Sequence, residues 1–151
     1  GIKKTLNKIM ENINNDSYEI IVVDDYSKDK TAEIVSSFDS VNLLQHTANK
    51  GYGAALKTGI NNANNDIICI TDGDSTYPNE KIPSLVSLLV ENDLDMVVGA
   101  RTGKNVKIPF IRKPAELTIG KLANWVTGQS IPDINSGLRV FKKSSFKVKT
   151  K

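Results

Sequence analysis

Two acidic segments carry residue types that could do chemistry, because each directly follows a run of apolar residues. Asp72-Gly73-Asp74 follows the run 66–71, and Asp24-Asp25 follows the run 18–23. Carboxylates two residues apart can both face a hard cation such as Mg²⁺ or Mn²⁺, and the intervening glycine permits close approach of a phosphate. The alternative is a turn with aspartate caps, since Asp-Gly is a common turn pair.

The earlier acidic pair is suited to a nucleotide. A carboxylate at a strand end can accept hydrogen bonds from a ribose hydroxyl or a base N–H, which are the contacts we expect for Asp24 and Asp25. Ser27 and Asp29, just downstream, are explained more simply as caps of the following helix.

A glycine-containing segment, 49–55, lies at the entrance of a predicted helix. It lacks the third glycine of the dinucleotide fingerprint and the Gly-Lys-Ser/Thr of a Walker loop, so its glycines are also consistent with close helix packing. Lys50 at this entrance can still pair with a nucleotide phosphate.

The three arginines of the chain all lie in its second half. Arginine forks bind phosphate oxygens bidentately, so Arg101, Arg112 and Arg139, with Ser136, could hold a second anion near the acidic segments. Exposed solubilising charge is the alternative, and we favour it for Lys142, Lys143 and the lysines beyond.

The elements that position these residues alternate between buried strands and helices. Strands are predicted at 18–23, 41–44, 66–71 and 96–99, and helices at 2–13, 31–38, 50–63 and from Pro78 onward. This order is typical of βαβ crossovers in an α/β fold with a mostly parallel sheet flanked by helices. Ligands of such sheets bind at the carboxyl ends of the strands, where both acidic segments lie.

Length and composition indicate one folded domain. The chain has 151 residues, of which 39% are hydrophobic and 25% charged, and it contains one cysteine, Cys69. A single cysteine forms no internal disulfide and supplies no zinc cluster, which favours a reduced, intracellular protein. No apolar run approaches the roughly 18–20 residues that span a bilayer.

The charge is divided unevenly along the chain. Residues 1–100 hold 8 Lys and Arg against 15 Asp and Glu, whereas residues 101–151 hold 12 against 2. The acidic part suits divalent cations and the basic part suits phosphate or an anionic membrane surface. Nucleic acid is disfavoured as a partner, because few aromatic residues accompany the basic ones and the acidic part would repel a phosphate backbone.

With these segments in this order, the sequence resembles glycosyltransferase family 2, which has the Rossmann-like nucleotide-diphospho-sugar transferase (GT-A) fold. It is most similar to the dolichyl-phosphate and polyprenyl-phosphate mannosyl- and glucosyltransferases. The resemblance covers nearly the whole chain and rests on the segments 21–31, 49–55, 72–78, 98–101 and 133–141.

The resemblance implies a role for each candidate residue. Asp24, Asp25 and Lys50 would bind the donor nucleotide, and Asp72 and Asp74 would form the metal-binding motif for Mg²⁺ or Mn²⁺. Arg101, Arg112, Ser136 and Arg139 would surround the acceptor phosphate and the sugar diphosphate. The expected catalytic residues are Asp74, Arg101 and Arg139.

The resemblance also implies an activity. We expect an inverting, metal-dependent enzyme that moves a sugar from a UDP- or GDP-linked donor to a polyprenyl or dolichyl phosphate. It would work in the cytoplasm, peripherally at a membrane surface. Transfer to a saccharide or protein hydroxyl, and a non-catalytic nucleotide-sugar-binding module, are the alternatives.

Compared with the family pattern, the chain begins just after the expected first strand, which is central in the sheet. We therefore expect residues 1–151 to be one catalytic domain, a fragment truncated before that strand and at the carboxyl end. A partner chain, as in a homo-oligomer, or a rearrangement would fill the gap.

Overall fold

A computed structural model describes residues 1–13, 18–100 and 136–145. Helices and strands alternate up to residue 98, as the sequence predicts, and their ends differ from the predicted ends by one or two residues. The exception is the helix expected at Pro78, where a 3-10 turn over Asn79–Lys81 comes first. The elements are α1 (Ile2–Asn12), β1 (Ile20–Asp24), α2 (Thr31–Ser36), β2 (Val41–Gln45), α3 (Tyr52–Asn62), β3 (Ile67–Ile70), α4 (Ile82–Glu91), β4 (Met96–Val98) and β5 (Arg139–Lys142).

The strands form two separate hydrogen-bonded groups within the described residues. Strands β1 and β2 are parallel, with Ile20 opposite Val41 and Asp24 opposite Gln45. Strands β3 and β4 both pair antiparallel with β5, which lies between them. Strands β3 and β4 run in the same direction, and β5 runs opposite to both. Strand β5 therefore departs from the mostly parallel arrangement that the sequence predicts.

Strand β5 corrects the expected role of two lysines. Lys142 is part of this strand, and its ammonium donates to the Asp93 carboxylate. Lys143 follows directly and donates to the Ala63 carbonyl at the end of α3. The expectation of exposed solubilising charge needs correction for these two residues, because each is half-buried and its ammonium bonds to a neighbouring segment.

One apolar cluster joins α1 to the strands and helices around it. Leu6 of α1 is 1% exposed and Val35 of α2 is fully buried, and they share the cluster with Ile20, Tyr77 and Leu138. Helix α1 can supply this face because Ile2, Leu6, Ile9 and Ile13 recur at helical spacing. Leu138 brings the start of β5 against the core, which fixes the segment that precedes Arg139.

Candidate functional site

The first acidic end, Asp24 and Asp25 after β1, begins with a buried carboxylate. Asp24 is 4% exposed and accepts hydrogen bonds from the Ser27 N–H (3.0 Å) and the Gln45 side-chain amide (3.2 Å). Burial raises the pKa of Asp24, but the bonds from Ser27 and Gln45 outweigh it, so the pKa lies below its ordinary value. Asp24 thus joins the turn after β1 to the end of β2.

That turn corrects a predicted helix cap. Ser27 does not cap α2, which begins at Thr31, and its N–H is donated to Asp24 instead. The Asp29 carboxylate accepts the Thr31 N–H at 3.0 Å, but the N-cap of α2 is Lys30, which makes no side-chain cap bond, so the prediction that Asp29 caps this helix is also wrong.

Asp25 holds the glycine loop, residues 49–53. Its carboxylate accepts from His46 Nδ1 (2.6 Å), from the Lys50 N–H (2.9 Å) and from the Gly51 N–H (2.7 Å). The bond from His46, followed by that from Lys50, lowers the pKa of Asp25. Gly51 has φ +87°, a conformation open to glycine, and this lets two successive N–H groups face the same carboxylate. The Lys50 side chain is exposed beside this junction.

The second acidic end, Asp72 to Asp74 after β3, is organised by its own turn. One Asp74 oxygen accepts from both the Thr76 N–H (2.9 Å) and the Thr76 hydroxyl (2.7 Å). Burial raises the pKa of Asp74, but the bonds from Thr76 outweigh it and the net shift is downward. Asp74 is exposed, so its carboxylate is ionised at neutral pH and accessible to a ligand.

Helix α1 fixes the backbone of this turn. Ser75 has φ +69°, a conformation that is uncommon outside glycine, and its hydroxyl bonds to the Thr5 hydroxyl (3.0 Å) and the Gly1 carbonyl (3.1 Å). An added Cβ on Gly73 would lie 3.0 Å from Ile2 Cδ1. The start of α1 therefore packs directly against the loop that carries both carboxylates.

Gly137 brings the segment before β5 against the second acidic end. Its N–H donates to the Tyr77 hydroxyl at 2.6 Å. A Cβ at this position would lie 2.6 Å from Asp72 Oδ2 and 2.9 Å from Tyr77 Cε2. Any side chain at residue 137 would thus displace Asp72, so the close approach requires glycine.

Ser136 and Arg139, which lie just before and shortly after Gly137, have different surroundings. Ser136 is fully buried, and its hydroxyl donates to the Gly99 carbonyl (2.6 Å) after β4. Arg139 is half-buried and donates through Nε to the Ser136 carbonyl (2.8 Å). Ser136 therefore positions the backbone at the end of β4, and its expected contact with an acceptor phosphate stays a prediction. Arg101 and Arg112 lie outside the described residues.

Tyr52, the first residue of α3, was not among the predicted site residues. Partial burial and the nearby Asp72 carboxylate raise the pKa of Tyr52, and the Arg139 guanidinium opposes them. Tyr52 is 60% exposed, and it directly follows Gly51, which binds Asp25. Its charge interactions with Asp72 and Arg139 indicate that α3 begins on the side of the molecule where the second acidic end lies. The signal in the sequence that could have identified Tyr52 is its position between two glycines, Gly51 and Gly53.

The second acidic end has the donor set that Mg²⁺ or Mn²⁺ uses. Asp72 and Asp74 offer hard carboxylate oxygens, and the described ranges contain no cluster of three or more His, Cys, Asp or Glu that could hold a metal. Two protein ligands leave most of an octahedral shell to water and to the phosphates of a ligand. The residues therefore fit a cation that binds together with a nucleotide diphosphate.

Comparison with known proteins agrees with this geometry. The model of the family described as glycosyl transferase family 2 matches residues 1–148. The UDP-N-acetylglucosamine–dolichyl-phosphate N-acetylglucosaminyltransferase of Methanococcus voltae is 29% identical, over 97% of this chain and 67% of that protein. The dolichol-phosphate mannosyltransferase of Pyrococcus furiosus is 34% identical, over 71% of this chain and 33% of that protein. The chain thus spans between 33% and 67% of the length of these two relatives.

Solved structures show the same fold. The mannosyltransferase PcManGT from Pyrobaculum calidifontis, in complex with GDP-Man and Mn²⁺, is 25% identical with a TM-score of 0.66, over 93% of this chain and 40% of that chain. The glucosyl-3-phosphoglycerate synthase of Mycobacterium tuberculosis, in complex with UDP, is 19% identical with a TM-score of 0.73, over 95% and 52% of the two chains. On the family match over residues 1–148, the chain belongs to glycosyl transferase family 2 and has its GT-A fold.

Proposed function

We propose that this domain transfers a sugar from a nucleotide-diphospho-sugar to a polyprenyl or dolichyl phosphate. The observation that carries the proposal is the close approach of Gly137 to the Asp72 carboxylate, which brings the segment that leads to Arg139 against the acidic end with the exposed Asp74. Such a site offers carboxylates for a cation and a guanidinium for a phosphate. The names of the relatives support the acceptor class, since they specify dolichyl phosphate in Methanococcus voltae and dolichol phosphate in Pyrococcus furiosus.

Asp72 and Asp74 would hold Mg²⁺ or Mn²⁺, which would neutralise the diphosphate as it leaves. The PcManGT complex with GDP-Man and Mn²⁺ supports this choice of cation. Gly137 leaves space for the Asp72 carboxylate, and Thr76 orients the Asp74 carboxylate. Both residues would thereby position the carboxylates for the cation. The donor nucleotide would lie between the glycine loop and this pair, beside the exposed Lys50.

In the reaction, an oxygen of the acceptor phosphate forms a bond to the anomeric carbon of the sugar. The bond from that carbon to the nucleotide diphosphate breaks on the opposite face, so the configuration inverts. Because a phosphate acceptor is already anionic, no general base is needed, and arginines only have to orient it. Arg139 is the described residue for this role, and Arg101 and Arg112 are proposed to assist it.

The basic second part of the chain favours a phosphate acceptor over a hydroxyl acceptor. Residues 101–151 hold 12 Lys and Arg against 2 acids, which suits an acceptor headgroup at an anionic membrane surface. An alcohol acceptor would require a base to remove its proton. In the part of the chain that the structure describes, no helix is long and apolar enough to cross a membrane. We propose a peripheral position at the cytoplasmic face.

The experiment that tests the proposal is a transfer assay with the full-length protein. UDP-glucose, UDP-N-acetylglucosamine and GDP-mannose are each incubated with a polyprenyl phosphate, with the matching polyprenol, or with a free saccharide, in Mn²⁺ or in EDTA. We expect Mn²⁺-dependent transfer to the phosphate from one donor class. Transfer only to the saccharide would contradict the proposed acceptor, and binding without transfer would indicate a non-catalytic module.

A further inference from the structure

His46 is a buried residue at the end of β2 with a hydrogen-bond partner on each ring nitrogen. Its side chain is 7% exposed. Nδ1 lies 2.6 Å from Asp25 Oδ1, and Nε2 lies 2.9 Å from the Thr58 hydroxyl in the middle of α3. Its main-chain N–H also donates to the Asp24 carbonyl at 2.9 Å. The imidazole therefore bridges the end of β1 and helix α3.

The direction of the Asp25 bond follows from charge. Hydrogen bonds lower the pKa of Asp25, so this carboxylate is ionised at neutral pH and can only accept. His46 Nδ1 must then carry the proton that it shares with Asp25. In a neutral ring, Nε2 is the acceptor and the Thr58 hydroxyl is the donor, so Thr58 holds the ring in the tautomer that serves Asp25.

The Asp25 carboxylate in turn holds the glycine loop. Lys50 and Gly51 donate their N–H groups to it, and Gly51 leads directly into Tyr52, the first residue of α3. A loop whose backbone is held by one carboxylate depends on the position of that carboxylate. The chain of contacts therefore runs from Thr58 through His46 and Asp25 to the glycine loop.

We propose that His46 is a positioning residue that sets the glycine loop for the donor nucleotide. This inference rests on the proposed function, because it assigns the loop to nucleotide binding. The order hydroxyl, imidazole and carboxylate is also that of a hydrolytic triad. Here, however, the neighbouring Lys50 and Gly51 N–H groups face Asp25, so they do not form an oxyanion-binding pair for a substrate. Positioning accounts for all of these contacts.

The test is calorimetric titration of the full chain with UDP and GDP in Mn²⁺, well below the melting temperature of every variant. Wild type is compared with His46→Ala, His46→Asn, His46→Gln and Thr58→Val. His46→Ala should raise the Kd by about tenfold to a hundredfold, the range for one hydrogen bond to a charged group. Asn places an N–H near the position of Nδ1, so His46→Asn should remain within about threefold of wild type. Thr58→Val should have a smaller effect than His46→Ala.

The remaining outcomes distinguish positioning from a purely structural role. His46→Gln places its amide near Nε2, so it should bind nucleotide more weakly than His46→Asn even if His46→Ala does not fold. Hydrogen exchange of the Lys50 and Gly51 amides should accelerate in the weak-binding variants. A lower melting temperature with unchanged Kd in His46→Ala, or equal Kd in the Asn and Gln variants, would overturn the inference alone. A wild-type chain that binds neither nucleotide would overturn it together with the proposed function.

Discussion

The two acidic ends look alike in sequence and differ in structure. At the first, Asp24 and Asp25 accept hydrogen bonds from the loops around them: Asp24 from Ser27 and Gln45, and Asp25 from the glycine loop and His46. At the second, Asp74 is exposed and bonds to its own turn at Thr76, and Asp72 lies against Gly137. The carboxylates of the first end organise backbone, whereas we propose that those of the second bind a ligand.

An aspartate pair after a buried strand therefore does not specify a role by itself. The two ends differ in the exposure of the carboxylate and in the segments that donate to it. Asp24 is 4% exposed and accepts from the end of β2, whereas Asp74 is exposed and accepts from Thr76 in its own turn. Asp25 accepts from two successive main-chain N–H groups of the glycine loop, where Gly51 adopts φ +87°.

The largest expected effect is on the second acidic end. Asp74→Ala should abolish Mn²⁺-dependent nucleotide binding, a loss of about a hundredfold or more, because the variant lacks one of the two carboxylates proposed to hold the cation. The free energy of unfolding should change by less than about 1 kcal/mol, since Asp74 is exposed. Calorimetry and urea denaturation measure the two quantities. Asp39→Ala, which removes an exposed carboxylate before β2, is the matched control and should leave both unchanged.

Gly137→Ala tests the contact that places Asp72. The new methyl group would meet Asp72 Oδ2 at 2.6 Å and Tyr77 Cε2 at 2.9 Å, so the segment must shift. We expect a loss of about 1–3 kcal/mol in the free energy of unfolding, as for other overpacked sites, together with weaker Mn²⁺-dependent binding. Gly53→Ala is the control for stability alone, because Gly53 belongs to the glycine loop but nothing lies within 4 Å of its added Cβ. An equal free energy of unfolding in the two variants would refute the steric explanation.

Asp24→Asn tests the first acidic end. The amide keeps the shape of the carboxylate but places an N–H₂ group against either the Ser27 N–H or the Gln45 amide, which are both donors. We expect about 1–2 kcal/mol of destabilisation from the unsatisfied buried group. In Asp24→Asn, the ratio of nucleotide affinities with and without Mn²⁺ should equal that of wild type. A ratio that falls to about one would show that the first acidic end also takes part in Mn²⁺-dependent binding.

The pH dependence of stability should follow the same carboxylates. Hydrogen bonds lower the pKa of Asp24, Asp25 and Asp74, so each stabilises the fold fully above its ordinary pKa of about 4. That stability is lost as the pH falls through the lowered values. Urea denaturation should therefore give a free energy of unfolding that drops steeply below about pH 4. Asp24→Asn should drop less steeply, and parallel curves would contradict its contribution.

The smallest expected effect concerns Cys69, in the strand that leads to Asp72. Burial raises the pKa of the Cys69 thiol to about 12, so almost no thiolate exists at neutral pH. Iodoacetamide should modify the native chain much more slowly than the urea-unfolded chain. Rapid modification of the native protein would mean that β3 opens readily and that the second acidic end is less rigid than the first.

Local patterns were sufficient to predict most of this fold. The apolar runs predicted β1 and β3, and the spacing of Leu6 and Ile9 predicted α1, because these signals lie within a few residues of one another. The family resemblance was confirmed by the match over residues 1–148. The assigned roles of Asp72, Asp74 and Lys50 stay predictions.

Long-range contacts were beyond local patterns. Strand β5 pairs with β3 and β4 across a wide sequence separation, and its lysines looked like exposed charge. His46 belongs to none of the segments that the sequence singles out, yet it meets Asp25, 21 residues away, and Thr58, 12 residues away. The charge interactions of Tyr52 with Asp72 and Arg139 arise only in the folded chain. No periodicity records such contacts, because tertiary packing alone creates them.

The most direct test of the division between the two acidic ends is the Mn²⁺ dependence of nucleotide affinity in two variants. Calorimetry gives the Kd of UDP and of GDP, with Mn²⁺ and with EDTA, for wild type, Asp74→Asn and Asp25→Asn. We expect that nucleotide affinity no longer depends on Mn²⁺ in Asp74→Asn, whereas Asp25→Asn binds nucleotide more weakly but keeps the Mn²⁺ dependence. Mn²⁺ dependence that survives in Asp74→Asn, or that disappears in Asp25→Asn, would contradict the proposed division of roles between the two acidic ends.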